Sequence, residues 1–532
     1  MQPSCHQDGF ARDNLPAPAD WPDLVFGLPE LQYPARLNCT DALVGCHIAE
    51  GHGARIAVVA PGLRWSYREL AGHIDRICNV LVAECGLVPG HRVLLRSANT
   101  PMMVACYLAV LKAGGVVVPS MPLLRAKELG FMVDKARVML ALCDDRLGEE
   151  MEATRAARPG LRVLYFGALE AMMARARPSF AACDTAQDDV CLIAFTSGTT
   201  GVPKGTMHFH RDILAICDTF SRHILRPAPD DLFLSSAPVA FTFGLGGSVL
   251  FPFHVGASTL LVEQTTPAGL LGAIGQYRPT ILFTAPTTYR FMLSQLEGAD
   301  LASLRQCVSA GEALPRATWE AWYAATGLGL IDGIGGTEML HIFISAAGDS
   351  IRPGATGRAV PGFEARIVDE DGREVPFGTA GHLAVRGPTG CRYLDDERQR
   401  RFVRHGWNLT GDTGMMDADG YFWYGARSDD MIVSSGYNIA GPEVEQALML
   451  HEAVLECAVI GVPDAERGQL VTAHVVLRSG HAANEAMTAA LQAHVRAAIA
   501  PYKYPRAIVY VGALPRTETG KLQRFKLRPV LA

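Results

Sequence analysis

The chain of 532 residues has no apolar run long enough to cross a bilayer, no large excess of either charge and no paired-cysteine motif. Its longest membrane-like stretch, Met102–Leu111, stops at Lys112-Ala113-Gly114-Gly115. A bilayer span needs roughly 20 residues, so the run predicts a buried helix and no membrane partner. Charged residues make up 19% and the formal net charge is −6, which offers no handle to nucleic acid or to an anionic surface. Thirteen cysteines are scattered without a Cys-x-x-Cys pair. That argues against a zinc ribbon or disulfide scaffold and predicts free thiols in a reducing cytoplasm. The first residues, Met1 to Pro16, lack the apolar centre of a secretory signal. Internal repeats, low-complexity tracts and the common Gly-x4-Gly-Lys-Ser/Thr phosphate loop are also missing. The length exceeds one ordinary core, so two or three domains are expected.

What is present alternates. Ile56–Ala60, Arg92–Arg96, Val116–Pro119 and Val138–Cys143 read as strands, separated by helical patterns. Ser66-x-x-Glu69 is a capping-box signature opening a helix to about Cys85. Pro101–Ala113 and Arg125–Lys135 are the next helices, and strands resume at Asp231–Ser236, Ser258–Val262, Thr280–Thr284 and Gln306–Ser309. Buried strands separated by helices predict parallel sheets covered by helices. From about 355 to 425 the pattern turns to short strands, with a hairpin turn at Asp369-Glu370-Asp371-Gly372. A boundary is expected at Arg427-Ser428-Asp429-Asp430. It divides a large unit, 1–428, from a smaller α+β unit, 429–532, with strands at Ala458–Val462 and Val471–Leu477.

One loop stands out. Thr196-Ser197-Gly198-Thr199-Thr200-Gly201-Val202-Pro203-Lys204-Gly205 follows the strand-like Val190–Phe195 and combines four hydroxyls, three glycines and one lysine. Backbone N–H groups and hydroxyls of such a loop can wrap phosphate oxygens, with Lys204 as the cation. Further along stand Ser309-Ala310-Gly311-Glu312-Ala313-Leu314, Asp332-Gly333-Ile334-Gly335-Gly336-Thr337-Glu338, Thr410-Gly411-Asp412, Arg427, Asp429 and Gly520-Lys521. In this order and spacing they resemble the acyl-adenylate-forming enzymes: acyl-CoA synthetases, luciferases and peptide-synthetase adenylation domains.

The resemblance spans roughly residues 55–525 and implies a fold: two α/β subdomains plus a small β-barrel-like subdomain, followed by a mobile C-terminal lid. It also implies roles. Thr196, Ser197, Gly198, Thr199, Thr200 and Lys204 would hold phosphates. Ala310, Gly311 and Glu312 would lie along one face of the adenine, and Asp332, Gly333 and Ile334 along the other. Ile334 departs from the family's usual tyrosine, which puts aromatic stacking on the adenine in doubt but not nucleotide binding. Thr337 would bond the α-phosphate, Glu338 would hold Mg²⁺, Asp412 would take both ribose hydroxyls, and Arg427 would lie near the ribose. Lys521 would bridge the substrate carboxylate and the α-phosphate while ATP yields acyl-AMP and pyrophosphate. Asp429 would be the hinge about which the lid turns. Ser435, Gly436 and Tyr437 would then line the way in for coenzyme A. Pro442-Glu443-Val444-Glu445 is expected to start a helix. Only eleven residues follow Lys521, which favours free CoA over a built-in carrier and leaves a separate carrier protein open. Monomer and homodimer are both compatible.

The acid is expected to lie against Phe241-Thr242-Phe243-Gly244 and His341-Ile342. Two phenylalanines two apart in an extended segment would share a side and form a flat slot for a ring, with Tyr289 at its border. The string Glu338-Met339-Leu340-His341-Ile342-Phe343 resembles the benzoate–CoA ligase branch. Thr242-Phe243 resembles 2-aminobenzoate relatives, since benzoate enzymes carry an alanine-tyrosine pair there. The implied activity is ATP-dependent ligation of an aromatic acid to CoA, with 2-aminobenzoate first and benzoate or another substituted benzoate as alternatives. A stand-alone enzyme that loads a carrier thiol and a non-catalytic adenylate sensor are the rival readings.

Overall fold

The computed structural model describes residues 2–196, 203–434, 437–464, 467–499, 503–516 and 522–528. Two large sheets sandwich helices. One has six strands in the spatial order Arg162–Tyr165, Leu140–Cys143, Arg92–Arg96, Val116–Ser120, Val190–Thr196 and Lys204–Phe209, parallel except for the last pair. The other has nine, and its inner strands Leu330–Gly335, Gln306–Ala310, Ile281–Thr284, Leu232–Ser235, Ser258–Leu260 and Ile56–Ala60 are parallel. Parallel strands need covering on both faces, which is why these segments are nearly continuous apolar runs.

Helix Tyr67–Ala83 starts on the predicted box: the Glu69 N–H donates to Ser66 Oγ and the Ser66 N–H donates to the Glu69 carboxylate. The run that fell short of a membrane span is helix Pro101–Lys112, capped by Thr100 and buried from Met103 through Leu111. It is apolar all round because protein surrounds it. Each fully enclosed leucine or valine contributes about 1.5–3 kcal/mol. No helix among the described residues is long and apolar enough to cross a membrane.

The short strands of the next part, Glu364–Val368, Gly381–Arg386, Val403–Arg404, Trp407–Met416 and Phe422–Arg427, form an antiparallel sheet of five. At Asp369–Gly372 the chain reverses with Gly372 at φ +83°. The last sheet, Tyr437–Ile439, Ile432–Ser434, Gly468–Leu477, Val454–Asp464 and Ala507–Tyr510, has its own core of Ile432, Val444, Leu448, Val459, Val471 and Leu491. Helix Gly441–Met449 begins with Pro442 in its first turn and Glu443 close behind.

Candidate active site

The loop that stands out in the sequence connects two antiparallel strands, Val190–Thr196 and Lys204–Phe209, and their register sets Thr196 opposite Lys204. Ser197, Gly198, Thr199 and Thr200 lie outside the described residues; Thr196 and Lys204 on either side are described. The Thr196 hydroxyl is buried without a partner. Lys204 Nζ donates to the Tyr393 hydroxyl at 2.7 Å and stands 3.6 Å from Glu338 Oε1. Tyr393 in turn donates to Glu338 Oε1 at 2.5 Å. Phenol, ammonium and carboxylate therefore form one cluster, with the ammonium over the Tyr393 ring at 4.6 Å.

Glu338 and Thr337 sit on a tight turn, Thr337–Met339, directly after strand Leu330–Gly335. The turn is tied down from behind, because His208 Nε2 bonds the Thr337 carbonyl at 2.8 Å. Glycines make this close path possible. A Cβ on Gly335 would come within 2.6 Å of the His341 carbonyl, and one on Gly333 within 2.5 Å of the Ile342 side chain. Ile342 is thus a buried wall residue packed into the space beside Gly333. Ile334 is half-buried.

A second group borders the first. Asp412 and Arg427 are cross-strand neighbours in the antiparallel sheet, with Arg427 Nη1 3.4 Å from Asp412 Oδ1 and 3.0 Å from the Thr410 carbonyl. Burial pushes the Asp412 pKa up, and the Glu338 charge adds to that rise. Asp332 is pushed up to about 8 by burial, and its Oδ1 is enclosed without a partner. A buried carboxyl oxygen with nothing to accept from is costly; both aspartates are suited to receive N–H or O–H donors from a ligand. Ala310 ends strand Gln306–Ala310, and Gly311, at φ +89°, turns the chain so that Glu312 accepts from Thr287 Oγ1 at 2.5 Å.

The apolar part differs from the sequence-based expectation. Thr242–Leu245 is helical, with Phe241 at its N-cap, and the helical run continues through His254. Residues two apart on a helix lie on nearly opposite sides, so Phe241 and Phe243 do not form a slot. Phe241 is 36% exposed, whereas Phe243 packs 5.7 Å from the His341 ring and 5.5 Å from Phe283. The glycines explain the helix: Cβ atoms on Gly244, Gly246 and Gly247 would meet the Pro238 carbonyl, the His341 ring and the Phe283 ring within 2.7 Å. Thr242 is half-buried beside them. Tyr289 is no border residue. It is fully enclosed in another core, edge-on to Trp322, and donates to the Leu282 and Val308 carbonyls.

His341 is the chemically informative member. It is 3% exposed and boxed by Phe220, Phe243, Phe251 and Phe283, and neither ring nitrogen makes a hydrogen bond of ordinary geometry. Burial pushes its pKa down to about 3, against a small opposing pull from the Phe243 backbone. The imidazole is neutral at any physiological pH.

The C-terminal sheet reaches this region through arginines. Arg516 bridges Glu456 at 2.7 Å and Glu312 at 3.5 Å, and Arg290 meets the same Glu456 at 3.1 Å. Lys521, Ser435 and Gly436 lie outside the described residues, as do the side chains of Asp429 and Tyr437. The bridge between Arg516 and Leu522 brackets the lysine's segment on both sides. Tyr393 was not among the residues singled out from sequence. It lies in Gly390-Cys391-Arg392-Tyr393, where no glycine-rich turn or acid–hydroxyl pattern marks it.

Comparison with known proteins agrees with this geometry. The family model for AMP-binding enzymes matches residues 47–392, and that for the AMP-binding enzyme C-terminal domain matches 443–521. A benzoate–CoA ligase of Thauera aromatica is 36% identical over 94% of this chain and 97% of its own length. The crystal structure of the anthranilate CoA ligase AuaEII with anthranoyl-AMP superposes with a TM-score of 0.90 at 34% identity, covering 94% and 98% of the two chains. A benzoate CoA ligase from Burkholderia xenovorans LB400 gives 0.86 at 33%, covering 93% and 100%.

Proposed function

The chain belongs to the AMP-binding enzyme family and is an AMP-forming aryl-acid–CoA ligase; from that premise we propose that its acid is 2-aminobenzoate. The observation that carries this reading is His341. A neutral imidazole with unpartnered nitrogens, enclosed by four phenylalanines, suits a flat ring bearing one small polar substituent. An alkyl chain would leave those nitrogens without a partner. Similarity to the anthranilate and benzoate ligases supports the same class.

A carboxylate cannot expel oxide, so it first attacks the ATP α-phosphorus, and pyrophosphate leaves. Lys204 and the loop hydroxyls from Thr196 onward stabilise the departing phosphates. Tyr393 holds Lys204 beside Glu338 until they arrive. Asp412 accepts from the ribose hydroxyls with Arg427 alongside. Asp332, Gly333 and Ile334 border one face of the adenine, and Ala310, Gly311 and Glu312 the other. Thr337 bonds the α-phosphate. Glu338 fits a magnesium ion: it is a buried hard oxygen donor whose partners here are one phenol and one ammonium. Such a cation, when bound, neutralises phosphate charge.

Lys521 neutralises the point where the two anions meet. The lid, from residue 429 on, then turns at Asp429 and withdraws the lysine. Ser435, Gly436 and Tyr437 guide the CoA thiol to the acyl carbon, and AMP leaves. A pyrophosphate-release screen over 2-aminobenzoate, benzoate, salicylate and hexanoate tests the acid. 2-Aminobenzoate should give the highest kcat/KM, and a preference for hexanoate would overturn the assignment. Offering CoA and a phosphopantetheinyl carrier protein in parallel tests the acceptor, and CoA should win.

A further inference from the structure

Of the thirteen cysteines, nine are buried, and only Cys5, Cys46, Cys85 and Cys183 are partly exposed. Two of those four meet, with Cys5 Sγ 3.4 Å from Cys183 Sγ across 178 residues of chain. Both backbones are anchored. The Cys5 N–H donates to Asp189 Oδ2, the Cys183 N–H donates to the Lys112 carbonyl, and the Cys183 carbonyl accepts from Asn38 Nδ2.

The whole N-terminal segment is strapped to the same place. Ser4 donates to Asp189, Arg12 bridges Asp189 and the Gln2 carbonyl, and Asp8 pairs with Arg92 at 2.7 Å. On the other side, Gly114 at φ +77° comes so close that a Cβ there would lie 2.7 Å from the Cys183 sulfur. Folding therefore delivers this thiol pair and holds it.

An imidazole is at hand. Single ligating atoms of Cys5, His6 and Asp189 lie within 4.8 Å of one another, and neither nitrogen of His6 has a hydrogen-bond partner. Burial pushes the His6 pKa down to about 4, so the ring is neutral at pH 7 and sets no charge beside the thiols. The hydrogen bond between the thiols lowers the pKa of Cys183 and raises that of Cys5. The contact favours a thiolate on one sulfur of the pair, held by the S–H of the other.

We propose that Cys5 and Cys183 are a reactive dithiol that a hydroperoxide converts to a disulfide, locking the N-terminal segment onto the chain leading into strand Val190–Thr196. The thiolate of the pair attacks one peroxide oxygen, the O–O bond breaks, and the departing hydroxide takes up the proton that thiol released, leaving a sulfenic acid. The second thiol attacks that sulfur, its proton passes to the leaving oxygen, the S–O bond breaks, and water leaves. Two thiols lose two electrons, and hydrogen peroxide becomes two waters. The other thiol–imidazole group, Cys39, Cys191 and His210, is fully buried and out of reach of the oxidant.

The test treats the full-length enzyme with hydrogen peroxide, caps free thiols with iodoacetamide and maps peptides without reductant. The expected dominant product joins the Cys5 and Cys183 peptides. It disappears with dithiothreitol and in Cys5→Ser, and the oxidised wild type melts several degrees higher than the reduced protein. Oxidation in concentrated urea should scramble the pairing. If Cys5→Ser does not fold, Cys183→Ser serves in its place. Cys5 and Cys183 remaining fully alkylatable while other thiols oxidise would overturn the proposal. So would stoichiometric zinc in the purified enzyme that is lost in Cys5→Ser, since that would make the pair metal ligands.

Discussion

Arg392 and Tyr393 are neighbours in sequence, and their side chains serve different purposes. Arg392 points inward, with no exposed side-chain surface. It pairs with Asp212 at 2.7 Å and lies over the Phe209 ring at 4.1 Å. Asp212 also stands 3.6 Å from His208, whose far nitrogen holds the Thr337 carbonyl. That network is enclosed, and the Asp212 pKa is held well below the carboxylate range, with Arg392 the main stabilising charge against burial. Tyr393 reaches the other way, to Lys204 and Glu338, whose side chains keep 19% and 12% of their surface open. A fully enclosed ion pair is scaffolding, whereas charges joined by a single phenol at the edge of solvent are placed to exchange partners.

The contrast can be broken by mutation. Arg392→Met would leave Asp212 as an unpaired buried charge and should cost about 3–5 kcal/mol of stability. Chemical denaturation would show that loss, while kcat of the folded fraction changes little. Lys521→Ala should slow adenylation a hundredfold to a thousandfold, or about 3–4 kcal/mol, yet leave transfer from preformed aryl-AMP to CoA intact. Asp429→Pro should do the reverse, and half-reaction assays would read both. Equal loss of both steps in both variants would contradict a turning lid.

These expectations rest on parts that differ in how readable they were. The parallel sheets, the Ser66–Glu69 box and the buried Met103–Leu111 helix were legible because local periodicity and capping chemistry decide them. Phe241 and Phe243 were misread as an extended pair. The packing that forces Thr242–His254 into a helix involves Pro238, His341 and Phe283, which are distant in sequence or invisible to a period-two argument. Tyr289 stands between Thr288 and Arg290 in sequence, and only tertiary structure assigns it to the core beside Trp322. Tyr393 was missed for a related reason. Its partners lie 189 and 55 residues away, and a lone tyrosine after an arginine carries no pattern.

Smaller effects sharpen the comparison. Tyr393→Phe removes one hydroxyl between two charges and should cost about 1.5–3 kcal/mol. That loss should appear as a higher KM for ATP–Mg and a slower pyrophosphate release, with the melting temperature nearly unchanged. A large drop in stability would place Tyr393 with Arg392 as scaffolding. Asp332→Asn should change pH dependence. The folded carboxyl titrates at about 8, above its unfolded value near 4. Folding therefore binds a proton there, and the wild type loses stability as pH rises from about 4 to 8. The variant has nothing to titrate, so its melting temperature should gain on the wild type across that window.

The most direct measurement is a rapid-quench experiment with labelled 2-aminobenzoate, ATP–Mg and enzyme in excess. Without CoA, one equivalent of 2-aminobenzoyl-AMP should accumulate on the protein together with pyrophosphate, and adding CoA should convert it to the thioester with release of AMP. Absence of the adenylate with every aromatic acid, alongside its ready formation from hexanoate, would contradict the account.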